Sequence, residues 1–183
     1  MAAELVDINQ SSTTCDATGG IVYSWLVEAK YVTAITVVSD VVTNFTMSTP
    51  GKWAKYEYDR DATSNYAQTN NRNGKRRTYQ QVAFMKFSAL DSAIVIAANN
   101  AIKTCDVIAI HVCVSGLRLV QGLEVDAAAT GGFVLTKVQQ TLLAASQFTD
   151  TSNNEARTEF TLQGESNMLS PVTTLSDTAI AAL

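Results

Sequence analysis

The sequence predicts a mainly β fold: a β-sandwich or barrel with one flanking α-helix near residues 89–104 and a long projecting β-hairpin near 52–88. Three observations lead there. Short runs of β-branched and aromatic residues recur between turn residues. Helical spacing is strongest in one place, behind a capping signal. A polar stretch with an Asn-Gly turn signal separates two long strand-like segments.

The elements follow in order. Residues 1–20 are polar and end in Gly19-Gly20, so an extended arm is expected there. Ile21–Lys30 (IVYSWLVEAK) reads as a strand, as do Val32–Val38 and Val41–Met47, broken by Ser39-Asp40. Thr49-Pro50-Gly51 reads as a turn. Lys52–Tyr66 alternates weakly, with Trp53, Tyr56, Tyr58 and Tyr66 among charges, and suggests an edge strand exposed on one face. Gln68–Arg77 follows as a loop, and Arg77–Ser88 as the partner strand. In that partner Tyr79, Ala83, Met85 and Phe87 share one face. Ser88-Ala89-Leu90-Asp91 resembles a capping box. Behind it Leu90, Ile94, Ala97, Ala98, Ala101 and Ile102 make one apolar stripe. Asp106–Val114 (DVIAIHVCV) is apolar on both faces and predicts a central strand. Arg118–Val125, Phe133–Ala144 and Ala156–Leu162 read as further strands, the second with helical spacing of Val138, Leu142 and Ala145 as the alternative for its second half. The polar tail 164–183 is expected to extend over a neighbour. A single domain, 1–183, is implied.

Composition narrows the function. Charged residues are 16 % and hydrophobic residues 46 %, against about 25 % charged in ordinary soluble domains. The difference is made up by Thr, Ser, Asn and Gln, which are cheaper to desolvate than full charges and suit broad subunit contacts. Net charge is −4. Residues 1–103 hold ten Lys/Arg against nine Asp/Glu, and 104–183 hold three against eight. An acidic chain is a poor nucleic-acid wrapper. Arg72, Lys75, Arg76 and Arg77 nevertheless concentrate four of the thirteen basic residues within six positions. Such a tip suits an acidic face of another copy, or, as the other reading, a single strand of nucleic acid flanked by Tyr66 and Tyr79.

The three cysteines (Cys15, Cys105, Cys113) form no CxxC pair and suggest neither a disulfide framework nor a zinc site. The N-terminal residues lack the basic and apolar pattern of a signal peptide. No 18-residue apolar window suggests a membrane span. The single histidine, His111, lies inside the central strand, where packing and hydrogen bonding are the expected roles. A Ser/His/Asp triad remains open on residue types, but no Gly-x-Ser-x-Gly elbow is present. Glu57, Asp59 and Asp61, and Glu124 with Asp126, alternate so that each set shares a strand face; a solvated face is the expected role of the first set. No cofactor, metal site or catalytic residue is expected.

The arm Lys52–Ser88, the helix Leu90–Lys103, the strand Val107–Val114 and the stretch Gly116–Gly122 occur in an order that resembles the tail-tube proteins of tailed bacteriophages and the inner-tube proteins of contractile injection systems. The resemblance covers about half of the chain and is one of architecture. It implies a non-enzymatic virion protein, made in the host cytoplasm, that closes into rings, usually hexameric. Those rings stack into a tube through which DNA passes without specific binding, among other virion proteins. Arg72, Lys75, Arg76 and Arg77 are then candidates for ring-to-ring salt bridges, and Glu124 and Asp126 for lumen-facing residues. A neck or capsid-associated ring protein shares the same style. The alternatives from other classes are a carbohydrate-binding β-sandwich using Trp53, Tyr56 and Tyr58 as a stacking platform, and an enzyme using the Glu124/Asp126 region.

Overall fold

The computed structural model describes residues 20–57, 64–73, 76–87, 96, 100, 106–124, 142–150 and 155–183, with the backbone alone at 72, 73, 76, 142–150 and 155–157. Eleven strands and one short helix are found among them. They are β1 (Ile21–Glu28), β2 (Val32–Val38), β3 (Val41–Met47), β4 (Ala54–Glu57), β5 (Asn65–Asn73), β6 (Arg76–Phe87), β7 (Val107–Cys113), β8 (Arg118–Gln121), β9 (Leu142–Asp150), β10 (Glu155–Ser166), β11 (Val172–Thr173) and α1 (Asp177–Ala181). A 3-10 turn, Ala29–Tyr31, links β1 to β2. One sheet has seven strands in the order β2-β3-β11-β8-β7-β1-β4, the other four in the order β5-β6-β10-β9. The mainly β expectation holds, and no sheet closes into a barrel among the described residues. The helix expected at 89–104 falls outside them except for Ile96 and Asn100, both helical; Ile96, left off the apolar stripe, is exposed.

Strand β7 organises the core because both of its faces are apolar. Val107 and Ala109 face the four-stranded sheet, in a cluster with Leu26, Tyr56, Met85, Phe87, Phe160 and Leu162. Tyr56, Phe87 and Phe160 meet edge-on there, with centroids 5.2–6.5 Å apart, the favoured aromatic geometry. Ile108 and Ile110 face the other way, with Trp25, Val27, Val42, Phe45, Trp53 and Ile180. In β1, positions 23, 25 and 27 belong to this second cluster, so position 21 should too. A bulge between Ile21 and Tyr23 resets the alternation, and Ile21 joins the first cluster instead.

Apart from Ile180 of α1, the second cluster draws on one sheet and the residues flanking its strands, so that sheet must roll up. Phe45 of β3 and Trp53, just before β4, touch edge-on at 5.0 Å, although their strands stand near opposite ends of the sheet order. The sheet curls toward a barrel and stops short of hydrogen-bonded closure.

Three expectations are corrected. The arm expected over 52–88 divides: β4 pairs with β1 in the large sheet, and only β5 and β6 form a hairpin, in the small one. The expected loop Gln68–Arg77 is mostly strand, since pairing continues to Asn73 opposite Arg76. The tail, expected to extend over a neighbour, folds onto its own body. Strand β10 runs to Ser166, β11 lies parallel to β3 and antiparallel to β8, and Ile180 of α1 is fully buried. The expected N-terminal arm lies outside the described residues apart from Gly20.

Candidate assembly surface

The register of the β5–β6 hairpin sets what its tip presents. Arg72 stands opposite Arg77, and Asn73 opposite Arg76. Positions 74 and 75, Gly and Lys in the sequence, lie between the paired residues Asn73 and Arg76. An Asn-Gly turn in the type I′ register would have paired Arg72 with Lys75. In the structure the turn is centred one residue later, so each β5 residue pairs with the β6 residue two positions beyond that reading, which keeps the strand faces as they were. Two arginines directly opposed destabilise an isolated hairpin. Arg77 is exposed and has no ion-pair partner among the described residues. Lys75 lies outside them, and Arg72 and Arg76 are placed by backbone only.

The root of the hairpin is held firmly. Gln68 Oε1 accepts from the Ser170 backbone N–H at 2.8 Å, and Gln81 Nε2 donates to the Met168 carbonyl at 3.2 Å. The Tyr66 hydroxyl hydrogen-bonds with Ser170 Oγ, and burial pushes the Tyr66 phenol well above its usual range. The C-terminal segment thus clamps the arm at its base.

Behind Tyr66 lies a buried polar chain. The Tyr66 ring packs on His111 at 4.7 Å between centroids. Gln121 Nε2 donates to the carbonyls of Gln81 (3.2 Å) and Leu162 (3.1 Å) on the opposite sheet. Its Oε1 therefore accepts, 2.7 Å from His111 Nε2, and that nitrogen carries the proton. His111 Nδ1 is left as acceptor for Ser24 Oγ at 2.6 Å. Burial pulls the imidazole down to about 4, so it is neutral at ordinary pH. The order Ser–His–Gln imitates a nucleophilic triad, but Ser24 is fully buried. Chemically the chain ties the two sheets together. Sequence reading anticipated a hydrogen-bonded His111. It missed Ser24 and Gln121, which only the strand register brings beside it.

The remaining candidates are scattered. Glu124 is half-buried, just beyond Leu123, whose carbonyl accepts from Ser166 Oγ at 2.7 Å. Asp126 lies outside the described residues, so the pair is not seen together. Glu57 is bound to Lys55 at 2.6 Å; Asp59 and Asp61 are not described. Trp53 and Tyr56 are both buried, so they form no exposed stacking platform. A cavity of about 450 Å³ at one end of the sandwich is lined by Ile21, Tyr66, Cys113, Val114 and Leu119, and burial raises the Cys113 thiol.

The sheet edges differ in protection. Edge strand β4 is short and carries Lys55 and Glu57, and edge strand β5 is polar, so both resist casual pairing. Edge strand β2 (VTAITVV) has no charge at all, and Thr33, Ala34, Thr36 and Val38 are exposed. Edge strand β9 (LLAASQFTD) is uncharged until its last residue. No strand among the described residues pairs with the outer side of either. No helix among the described residues is long and apolar enough to cross a membrane. Comparison with protein-family models, curated proteins and solved structures finds no match.

Proposed function

We propose that this chain is a non-enzymatic structural protein that assembles with copies of itself into rings or a tube, as a tail-tube-like or other ring component of a virion. The observation that carries the reading is the pair of long edge strands, β2 without any charge and β9 without one before its terminal Asp150. In a lone monomer such edges are an aggregation hazard. In a ring they are the joining surface, because a heterologous contact repeated around an axis closes and leaves no edge free. The basic hairpin, clamped at its root, adds a second surface. DNA passing along such a tube, and a location within a virion beside other virion proteins, belong to the same proposal. Within the virion class a neck or capsid-associated ring fits the same two surfaces.

The carbohydrate-binding alternative loses its support, because its platform residues Trp53 and Tyr56 are core residues.

Negative-stain microscopy and analytical sedimentation of purified protein test the reading. Rings or tubes of regular diameter are expected. A chain that stays monomeric over the whole accessible concentration range overturns it.

A further inference from the structure

The geometry points to a stacking contact made by the two hairpins of the four-stranded sheet: the basic β5–β6 tip of one copy docks on the acidic β9–β10 turn of the next. This rests on the self-assembly reading and names the surfaces that would join successive layers.

Strand order and register place the two tips at opposite ends of one sheet. The order is β5-β6-β10-β9, antiparallel throughout. Pairing of β6 with β10 runs from Tyr79 opposite Ser166 to Phe87 opposite Thr158. Beyond Tyr79, β6 continues through Thr78, Arg77 and Arg76 with only β5 paired to it among the described residues. Beyond Thr158, β10 continues the other way through Arg157, Ala156 and Glu155 with only β9 paired to it among the described residues. Each end of the sheet therefore carries a two-stranded overhang.

The overhangs carry opposite signs. At one, Arg72 stands opposite Arg77, with Arg76 and Lys75 adjoining. At the other, Asp150 stands opposite Glu155, and the connecting positions 151–154 (Thr, Ser, Asn, Asn) add no charge. Arg157, two residues from Glu155, offsets part of the acidic end. Directly opposed like charges weaken a β-ladder, so each tip is disfavoured alone. Charges of the other sign, which the opposite end of a second copy supplies, would relieve that repulsion. A head-to-tail contact needs two different, complementary patches at opposite ends of one subunit. These two tips meet that requirement.

The arm is also pre-set. The bonds from Gln68, Gln81 and the Tyr66 hydroxyl to 168–170 fix its root, so little ordering cost remains for docking. Glu124 is a poorer acceptor for a stacked arm. It follows Leu123, which is bonded to Ser166 opposite Tyr79, and so lies toward the basic end.

Charge reversal in pairs tests the contact. The full-length variants are Arg72→Glu with Arg77→Glu, Asp150→Arg with Glu155→Arg, and all four together, read by sedimentation and negative stain beside wild type. Each double variant is expected to lower the stacked fraction about tenfold or more at low salt, and the quadruple variant to recover it to within about threefold. Recovery also shows that the chain folds with both tips reversed. If a reversal unfolds the chain, Arg72→Gln with Arg77→Gln carries the test: it relieves repulsion inside the tip, so reduced stacking from a more stable protein supports the contact, and unchanged stacking overturns it. Either double variant stacking like wild type, or a quadruple variant no better than the doubles, overturns the contact while leaving self-assembly standing. So does a basic-tip variant that only loses binding to a single-stranded oligonucleotide. Wild type that never assembles overturns both proposals.

Discussion

His111 shows how one register pair sets a stability profile. Its ring is fully buried, held in the Nε2–H form by Gln121, and faced by Ser24, Tyr66 and the neighbouring core. Of the titratable groups nearby, the Tyr66 phenol and the Cys113 thiol are both raised and hence neutral. Folding depresses the imidazole from about 6.5 to about 4. The unfolded chain therefore binds the proton first as pH falls, so stability is complete above about pH 6.5 and declines until about pH 4. At roughly 1.4 kcal/mol per pH unit the loss from this one group is on the order of 3 kcal/mol. Denaturant melts of wild type at pH 7.5 and 4.5 should differ by about that amount beyond the shift seen in a His111→Asn variant. That variant should be less stable at neutral pH by about 2–4 kcal/mol, because Ser24 and Gln121 lose a buried partner. Equal pH dependence in the two proteins would remove His111 as the cause. Gln121 should behave similarly: Gln121→Leu strands His111 Nε2 and two backbone carbonyls on the facing sheet. No spacing in the sequence announces this chain, since residues 24, 111 and 121 become neighbours only through pairing.

At the scale of elements, legibility followed how locally each one is specified. Strand β7 was readable because an apolar run on both faces has few other uses, and the β2–β3 hairpin because Ser39-Asp40 interrupts two β-branched runs. That turn is also a weak point. Val38 pairs with Val41, and Ser39 and Asp40 both take positive φ, 51° and 65°, the type I′ pattern that favours Asn-Gly. Ser39→Asn with Asp40→Gly should raise stability by about 1 kcal/mol, read as a higher melting temperature; an unchanged or lower value would show that the turn carries no strain. The stretch after Pro50 misled because Trp53 and Tyr56 sit among charges like residues of an exposed edge, yet one fills each core. Strand β11 was unreadable for another reason. It has two residues and pairs with β3, some 130 positions earlier, so nothing local marks it. It still bridges β3 to β8, and Thr173 Oγ1 donates to the Val42 carbonyl at 2.7 Å while accepting from the Leu175 N–H. Thr173→Val keeps the shape and removes both bonds. A loss of about 1–2 kcal/mol is expected, with hydrogen exchange quickening first in β2 and β3; uniform quickening across both sheets would argue against a local bridging role.

For the whole molecule, the uncharged edges and the two charged tips call for different experiments, because they would join copies in different directions. Lateral joining depends on backbone groups along an open edge, stacking on charges at the sheet ends. Salt should separate them. Screening shortens the reach of exposed charges to about 8 Å at physiological ionic strength and about 3 Å at 1 M, so stacked assemblies should shorten as salt rises while rings persist. A charge placed on the open edge should do the reverse. Ala34 and Val38 are exposed on β2. Lysine at both positions leaves the two cores untouched and adds the kind of protection that natural edges use. The Ala34→Lys/Val38→Lys variant should therefore unfold within about 1 kcal/mol of wild type and fail to form rings at concentrations where wild type does. If that variant closes rings normally, lateral joining does not use β2. The other unprotected edge, β9, would then be the strand to modify next, because β4 and β5 already carry the charged and polar residues that keep edges apart.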